Sequence, residues 1–355
     1  MKPLRINIVL PFPVTKPVGG PKIMYEYANR LHEKGHTVTV YHSLKRPHKK
    51  MKSPLWWKQF IFFMRGAARP KWFPLHKKIS SVIVPEITDR YIKDADIIFF
   101  TWWQMAYAVK ELSAHKGKAV NLVQDYETWN GADDLVNASY RFNMQYVVIA
   151  KYLQEIIYKE TGIQPELLNN AIDTNRFYIQ QPHSTRKPES IIMLYSEEER
   201  KGTKYGLQAL QELKEEFPGL TVTLFGVFPK PDLPAWMEYH HKPSNLPELY
   251  NKNAIFLSPS LGEGWALPPA EAMACGCAVV CTDIGGHAAY AKNNETALLV
   301  KPGDVSDIKE KLITLLTDSD KRNSIALNGN AYLLENFSWD KAVGQLEQIF
   351  YSLLK

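Results

Sequence analysis

The chain has 355 residues, 45% hydrophobic and 23% charged, with 43 Lys and Arg against 37 Asp and Glu. That length suits two domains with separate cores, and the longest apolar stretch falls far short of the ~20 residues a spanning helix needs. Three cysteines (Cys275, Cys277, Cys281) are too few and too clustered for a secreted disulfide framework, and with no histidine at finger spacing they read as buried side chains. The positive N-terminal start runs into a short apolar segment that ends at Pro11, which fits a first β-strand better than a signal peptide. The expectation is a soluble, cytoplasmic protein.

Taken in chain order, apolar strand candidates at 6–11, 37–41, 82–84, 96–101, 119–124 and 146–150 alternate with helical stretches. This is the pattern of an open parallel α/β sheet. A helix is expected over 22–34, with Gly35 as its C-cap. Between strand and helix, Gly19-Gly20 reads as a turn or as a place where backbone approaches an anionic ligand. Asp94-Ala-Asp96 precedes a strand and reads as a turn. Gln124-Asp125-Tyr126-Glu127 follows one, and there Asp125 is a loop cap or a ligand-facing carboxylate. A further helix covers 152–161. The polar, proline-bearing segment 178–189 reads as a linker. The alternation then restarts, with strands at 190–194, 221–225, 254–257, 278–281 and 297–300. Helices are expected at 206–216, 269–275, 305–316, 320–335 and 339–354.

Within the second half, Glu263 and Glu271 bracket a Gly-rich turn and a helix start. Pro268-Pro269 suits a first helical turn, which would place Glu271 in that turn, with free N–H groups for a phosphate. Carboxylates there can accept hydrogen bonds from sugar hydroxyls, which suits a nucleotide sugar. The plainer reading is that Glu271 favours a helix N-terminus and Glu263 is a solvated loop residue.

The run Ser258-Pro-Ser-Leu-Gly-Glu-Gly-Trp-Ala-Leu-Pro-Pro-Ala-Glu-Ala-Met-Ala-Cys-Gly276 resembles the Glu-x7-Glu signature of glycosyltransferase family 4, the retaining transferases of GT-B fold. Where that family usually has Glu-Gly-Phe-Gly-Leu-Pro, this chain carries Trp265 and Ala266. Further segments are similar to the family: Lys201-Gly202, residues 166–177, the passage Asn245–Tyr250, and Phe337-Ser-Trp-Asp340 at the start of the terminal helix.

The resemblance implies an α/β protein with two Rossmann-like domains facing each other across a cleft and a C-terminal helix crossing back to the first domain. Its domains would be 1–177 with about 338–355 (acceptor side), a linker at 178–189, and 190–337 (nucleotide-sugar side). It implies a retaining transferase that moves a hexose from a nucleotide sugar to a glycan or lipid-linked acceptor in cell-surface glycan, polysaccharide or glycolipid synthesis. No metal and no other cofactor would be required. Glu263 would hold hydroxyls of the donor sugar and Glu271 the ribose. Gly264, Trp265, Ala266 and Leu267 would offer backbone N–H groups, Lys201 would carry the charge on the phosphate, and Gly19-Gly20 would line the diphosphate. Ser196 stands where the family arginine is expected, and Arg200 is the candidate replacement. Gln124 replaces the family histidine, leaving Asp125 to orient the acceptor hydroxyl, with Glu127 second. Gly285-Gly286-His287-Ala-Ala resembles the Gly-Gly-x-x-Glu loop but lacks its carboxylate. These departures keep two alternatives open: a non-catalytic GT-B binding subunit and a GT-B nucleotide-sugar epimerase.

Charge is uneven along the chain. Residues 1–100 hold 19 Lys and Arg against six Asp and Glu, and the remainder 24 against 31. Residues 45–78 carry eleven basic side chains and no acidic one, interleaved with Trp56, Trp57, Phe60, Ile61, Phe62, Phe63, Trp72 and Phe73. Three readings compete: solvated charge on an insertion, single-stranded nucleic-acid binding, and docking on an anionic lipid or polymer. Beside the transferase motifs, the last is preferred and nucleic acid is not expected as a partner. This would place the protein at the inner face of the membrane.

Overall fold

The computed structural model describes residues 2–51, 53–130 and 132–355. Met1, and Lys52 of the basic segment, lie outside them. The chain divides into two units, Met1–Asn170 with Ala342–Lys355, and Ala171–Lys341.

In the first unit the elements run β1 (Arg5–Leu10), α1 (Gly19–Glu33), β2 (Thr37–Ser43), α2 (Leu55–Met64), β3 (Ser80–Val84), β4 (Ile97–Phe100) and α3 (Trp103–Val109). They continue with β5 (Lys118–Val123), α4 (Asp133–Ser139), β6 (Gln145–Val148), α5 (Lys151–Thr161) and β7 (Glu166–Leu167). Seven parallel strands pair in the order β3-β2-β1-β4-β5-β6-β7. Strand β4 is buried at every position, and Ile6, Ile8, Val40, Phe99 and Val147 fill the core. Continuous apolar strands of this kind belong to a parallel sheet covered on both faces.

The second unit runs β8 (Ser190–Leu194), α6 (Thr203–Glu216), β9 (Thr221–Gly226), β10 (Met237–His241), α7 (Leu246–Lys252) and β11 (Ile255–Ser258). Next come α8 (Leu267–Ala274), β12 (Ala278–Thr282), β13 (Leu298–Val300), α9 (Val305–Thr317) and α10 (Ser319–Asn336). Its six strands, also parallel, pair in the order β10-β9-β8-β11-β12-β13. Asp304 and Asp318 cap α9 and α10, accepting from the N–H groups of Asp307 (3.0 Å) and Lys321 (2.9 Å).

Both units are Rossmann-like α/β layers. In each, strand order reverses beside the unit's first strand, between β1 and β4 and between β8 and β11. Ligands of such sheets sit beyond the strand C-termini at this switch point. The last helix, α11 (Trp339–Ser352), belongs from Ala342 onward to the first unit. There Glu347 meets His36 (2.9 Å), the Tyr351 hydroxyl donates to the Lys2 carbonyl (2.7 Å) and Phe350 packs edge-on against Phe99.

Residues 178–189 are built into the second unit and tied there by Arg186, which is 5% exposed. Its guanidinium donates to the carbonyls of Gln181 (3.0 Å), Asn253 (3.0 Å) and Tyr250 (3.3 Å). Polar composition signals a loop but says nothing of what the loop packs on. Cys275, Cys277 and Cys281 are free and buried. Among the described residues no helix is long and apolar enough to cross a membrane.

Candidate active site

The site of the second unit is built from two loops, 195–202 after β8 and 259–266 after β11, which leave adjacent strands at the switch point. Two features lock them together. Gly202 has φ +60°, and a Cβ there would lie 2.0 Å from the Pro259 carbonyl oxygen, so only glycine allows the approach. The N–H groups of Leu261 and Gly262 donate to the Arg200 carbonyl at 2.7 and 3.3 Å.

This brings Lys201 onto Glu263. The ammonium Nζ donates to Oε1 at 2.8 Å and Oε2 at 2.9 Å, and the Ser260 hydroxyl donates to Oε1 at 2.8 Å. The two side chains are only 16% and 9% exposed. Burial by itself would raise the Glu263 carboxyl, but the charge and hydrogen bond of Lys201, with Ser260, outweigh it and hold the group below its ordinary range. Glu263 is therefore a buried anion. Gly286 lies against it, since a Cβ on Gly286 would come within 2.3 Å of the Glu263 carbonyl oxygen. Next in sequence, His287 is 1% exposed. Its Nδ1 donates to the Thr282 carbonyl (2.7 Å) and its Nε2 faces the Ser258 hydroxyl (3.3 Å). Burial lowers the His287 pKa, so the ring stays neutral and Lys201 supplies the cation of this pair. A small hollow lined by Leu194, Lys201, Ser258, Ser260, Glu263 and Pro268 joins the pair to the start of α8.

Glu271 is held separately. Helix α8 begins at Leu267, two residues earlier than expected, so Glu271 is its fifth residue and lies beyond the first turn. It is 5% exposed and accepts from the Tyr250 hydroxyl at 3.4 Å. The earlier start also corrects the expected row of helix N–H donors. Pro268 and Pro269 carry none, leaving Leu267 alone among the first three positions. The Ala266 N–H is directed at the Gly286 carbonyl (3.3 Å), and its carbonyl accepts from Tyr290 (2.8 Å). Backbone donation by this segment thus rests on Gly264, Trp265 and Leu267. The Trp265 ring is turned inward, 5% exposed against Tyr290 (4.9 Å) and Phe337 (5.7 Å). Its indole N–H is buried without a hydrogen-bond partner.

Arg200 does not join Lys201. Its guanidinium donates to Glu198 (3.1 Å) and is 41% exposed, because neighbouring residues of a short helical turn point differently. Ser196, at the expected arginine position, is buried and bonded to the Glu198 N–H (3.2 Å) and Thr203.

In the first unit Gly19 and Gly20 form the first two positions of α1 itself, where a preceding loop was expected. They lie beyond β1: nothing stands within 4 Å of where a Cβ on Gly19 would be, whereas the Gln124 side chain lies 3.4 Å from that place on Gly20. Gln124 donates to the Gly20 carbonyl (3.2 Å) and the Thr101 hydroxyl (3.1 Å), bridging the start of α1 and the ends of β4 and β5. Asp125 accepts from its neighbour's N–H (Tyr126, 2.9 Å) and from the Tyr152 hydroxyl (3.3 Å), the capping geometry of a loop carboxylate. Glu127 is 6% exposed and accepts from the Trp103 N–H (2.8 Å). Burial, with a smaller contribution from the Asp125 charge, pushes it up to about 8 despite that bond. Among the described residues no group of three or more His, Cys, Asp or Glu side chains is placed to hold a metal ion.

Sequence reasoning assigned no role to Ser260 or His287. Ser260 stood inside the signature run, three residues before Glu263, and His287 followed the Gly-Gly pair, so each had a positional signal but no sign of its partner.

Residues 175–332 match the family model described as glycosyl transferases group 1. The N-acetyl-alpha-D-glucosaminyl L-malate synthase of Bacillus anthracis is 30% identical over 114 residues, 32% of this chain and 30% of that protein. The D-inositol 3-phosphate glycosyltransferase of Rhodococcus erythropolis is 34% identical over 106 residues, 30% of this chain and 24% of that one. These alignments span less than a third of each relative's length. The fold extends further. The sucrose-phosphate synthase structure from Thermosynechococcus elongatus covers 99% of both chains with a TM-score of 0.73 at 15% identity. Anabaena Alr3699/HepE, solved with UDP and glucose, covers 98% of this chain and 100% of its own at TM-score 0.73 and 14% identity. The two Rossmann-like units are those of the GT-B fold.

Proposed function

We propose that this chain, whose residues 175–332 match the family model described as glycosyl transferases group 1, moves a sugar from a nucleotide-sugar donor to an acceptor hydroxyl, with retention of anomeric configuration, in the synthesis of a cell-surface glycan, polysaccharide or glycolipid. The observation that carries this reading is the buried Lys201–Glu263 pair at the C-terminal ends of β8 and β11. An ammonium has three donors. Two lie on Glu263, which leaves the third to meet a leaving phosphate. Glu263 fixes that cation and offers its remaining lone pairs to sugar hydroxyls, while Glu271 beside Tyr250 holds the ribose. The backbone N–H groups of Gly264, Trp265 and Leu267 complete the anion site. Such preorganised donors stabilise charge where it develops in the transition state. The departing diphosphate takes the acceptor's proton on the face it leaves. In the first unit, Asp125 orients the acceptor, a glycan or lipid-linked alcohol. Charge compensation comes from Lys201 and backbone, so the rate should survive EDTA. We place the protein in the cytoplasm, where three free, buried thiols are at home.

The test is a thermal-shift screen against UDP-, GDP-, dTDP- and ADP-sugars, followed by product analysis with and without acceptor. A true donor at a hundred times its Kd adds about 2.7 kcal/mol of stability. Transfer or slow hydrolysis that disappears in Lys201→Ala supports the reading. Donor binding with no turnover would favour a non-catalytic binding subunit, to which Ser196 in the arginine position lends weight. Conversion of the donor sugar without acceptor would make it an epimerase.

A further inference from the structure

Helix α2 carries its apolar stripe on the wrong side for a soluble protein. None of its ten residues is buried. The half-buried positions, Leu55, Lys58, Ile61 and Phe62, form the side turned to the protein. Trp56, Trp57, Phe60, Phe63 and Met64 fall at i, i+1, i+4, i+7 and i+8, one face at 3.6 residues per turn. That face is the one in solvent: Phe63 is 78% exposed, Trp56 69%, Met64 68% and Phe60 53%. With Met51, six of the exposed large hydrophobics among the described residues lie between positions 51 and 64. The rings order one another, Trp57 stacked on Phe60 at 5.9 Å and Trp56 edge-on to Trp57 at 5.8 Å.

Charge decides what covers this face. Some basic side chains of 45–78 are engaged within the protein. Lys45 pairs with Glu86 (2.8 Å), Arg46 lies over Phe12 and Trp102, and Arg69 donates to the carbonyls of Leu75, His76 and Ile79. Lys50, Arg65, Lys71, Lys77 and Lys78 are exposed, and no acidic residue interrupts the segment. A second copy of this surface would bring like charges together. An anionic bilayer surface satisfies both features, because aromatic rings seat at the level of the headgroups while Lys and Arg meet their phosphates.

We propose that α2 is an interfacial helix that lies flat in an anionic lipid leaflet, with Trp56, Trp57, Phe60, Phe63 and Met64 inserted and the exposed basic residues of 45–78 on the headgroups. Ten residues are too short to span, so attachment is peripheral. Each basic residue near the surface strengthens binding roughly fivefold in low salt, and the inserted rings leave a remainder that salt does not remove.

The experiment is co-sedimentation of the full chain, without donor or acceptor, with phosphatidylcholine vesicles with and without phosphatidylglycerol, in low and high salt. Binding should require phosphatidylglycerol, weaken in high salt and fall at least about tenfold in Phe60→Ser/Phe63→Ser, whose positions are exposed and so leave the melting temperature unchanged. Lys50→Ala/Arg65→Ala should cost about fivefold per residue. Quenching of tryptophan emission by brominated lipid, reduced in Trp56→Phe/Trp57→Phe, checks insertion without relying on the serine variant. No binding in low salt overturns the proposal, as does equal binding by the serine variant. Concentration-dependent dimerisation abolished by Phe60→Ser/Phe63→Ser would assign the face to a second copy and overturn it too. Since no sugar substrate is present, these outcomes are independent of whether transfer occurs.

Discussion

Replacing Lys201 by Ala tests the electrostatic core of the site without any knowledge of the substrate. Two effects act on Glu263: burial, which raises its pKa, and Lys201, which with Ser260 brings it below the ordinary value of 4.5. Removing the ammonium leaves a carboxylate that is 9% exposed, with the Ser260 hydroxyl still donating to it. Breaking a buried pair by deleting one partner costs about 3–5 kcal/mol near neutral pH. For a unit of this size each kcal/mol moves Tm by roughly 2–4 °C, so the variant should melt about 6–20 °C lower. The pH dependence should change sign. In the native protein the depressed carboxyl contributes stability that is present above pH 4.5 and is lost as pH falls through the folded value. In Lys201→Ala the largest opposing influence is gone and burial prevails, so the folded value should rise above 4.5 and stability should be lost as pH climbs from there. The difference between the two proteins should thus be large at pH 7 and shrink toward pH 4, and Lys201→Ala/Glu263→Gln should recover most of it. Differential scanning calorimetry from pH 4 to 8 gives the answer. A melting point within about 2 °C of native at pH 7, or a gap that does not vary with pH, would refute a buried ion pair.

Glu127, pushed up to about 8 by burial, has the opposite sign: the folded state binds its proton more tightly, so stability falls as pH rises from 4.5 to 8, by up to ~4 kcal/mol. Glu127→Gln keeps the acceptor for the Trp103 N–H and should flatten that slope in the same calorimetry. Gly286→Ala places a Cβ 2.3 Å from the Glu263 carbonyl oxygen and forces the loop to move; kcat/KM should drop about a hundredfold while circular dichroism stays native, and full activity would show that the loop is not held there. Glu271→Ala should raise the apparent donor constant by an amount worth about 1–3 kcal/mol, with kcat little changed, in donor-dependent steady-state kinetics.

The sheets were legible in the sequence because parallel strands buried on both faces are short continuous apolar runs, and Ile97–Phe100 and Ile255–Ser258 are little else. Elements without that signature were missed. Strand β10, Met-Glu-Tyr-His-His, sits at a sheet edge and is mostly polar. Helix α3 starts after Trp102, a tryptophan at φ +77° that gives no capping signal. Helix α2 escaped because its apolar stripe faces solvent, while a periodicity argument assumes that such a stripe faces a core. At the site, the residue types Lys201, Glu263 and Glu271 were readable and their partners were not. Nothing in the local sequence says that Gly202 must clear the Pro259 carbonyl or that Gly286 must clear Glu263; both constraints exist only once the loops meet. The same holds for Arg200, whose charge matched the expected chemistry while its direction was set by the turn around it.

The pairing of Lys201 with Glu263 also limits how an anionic donor can be held. The pair is close to neutral, His287 adds no charge, and the Arg200 guanidinium is bonded to Glu198. A diphosphate brought to this place must therefore be met by the third N–H of Lys201 together with peptide N–H groups, or draw Lys201 partly away from Glu263. The first course is narrowed by Pro268 and Pro269, which leave Leu267 as the one donor in the opening turn of α8. The second would leave Glu263 buried and less compensated, a cost that sugar hydroxyls donating to its oxygens can offset. On this view the phosphate and the sugar are recognised as one unit. Lys201 can turn toward the phosphate when a hydroxyl takes its place on Glu263, and a free nucleotide, which brings no such hydroxyl, should bind more weakly than the intact nucleotide sugar.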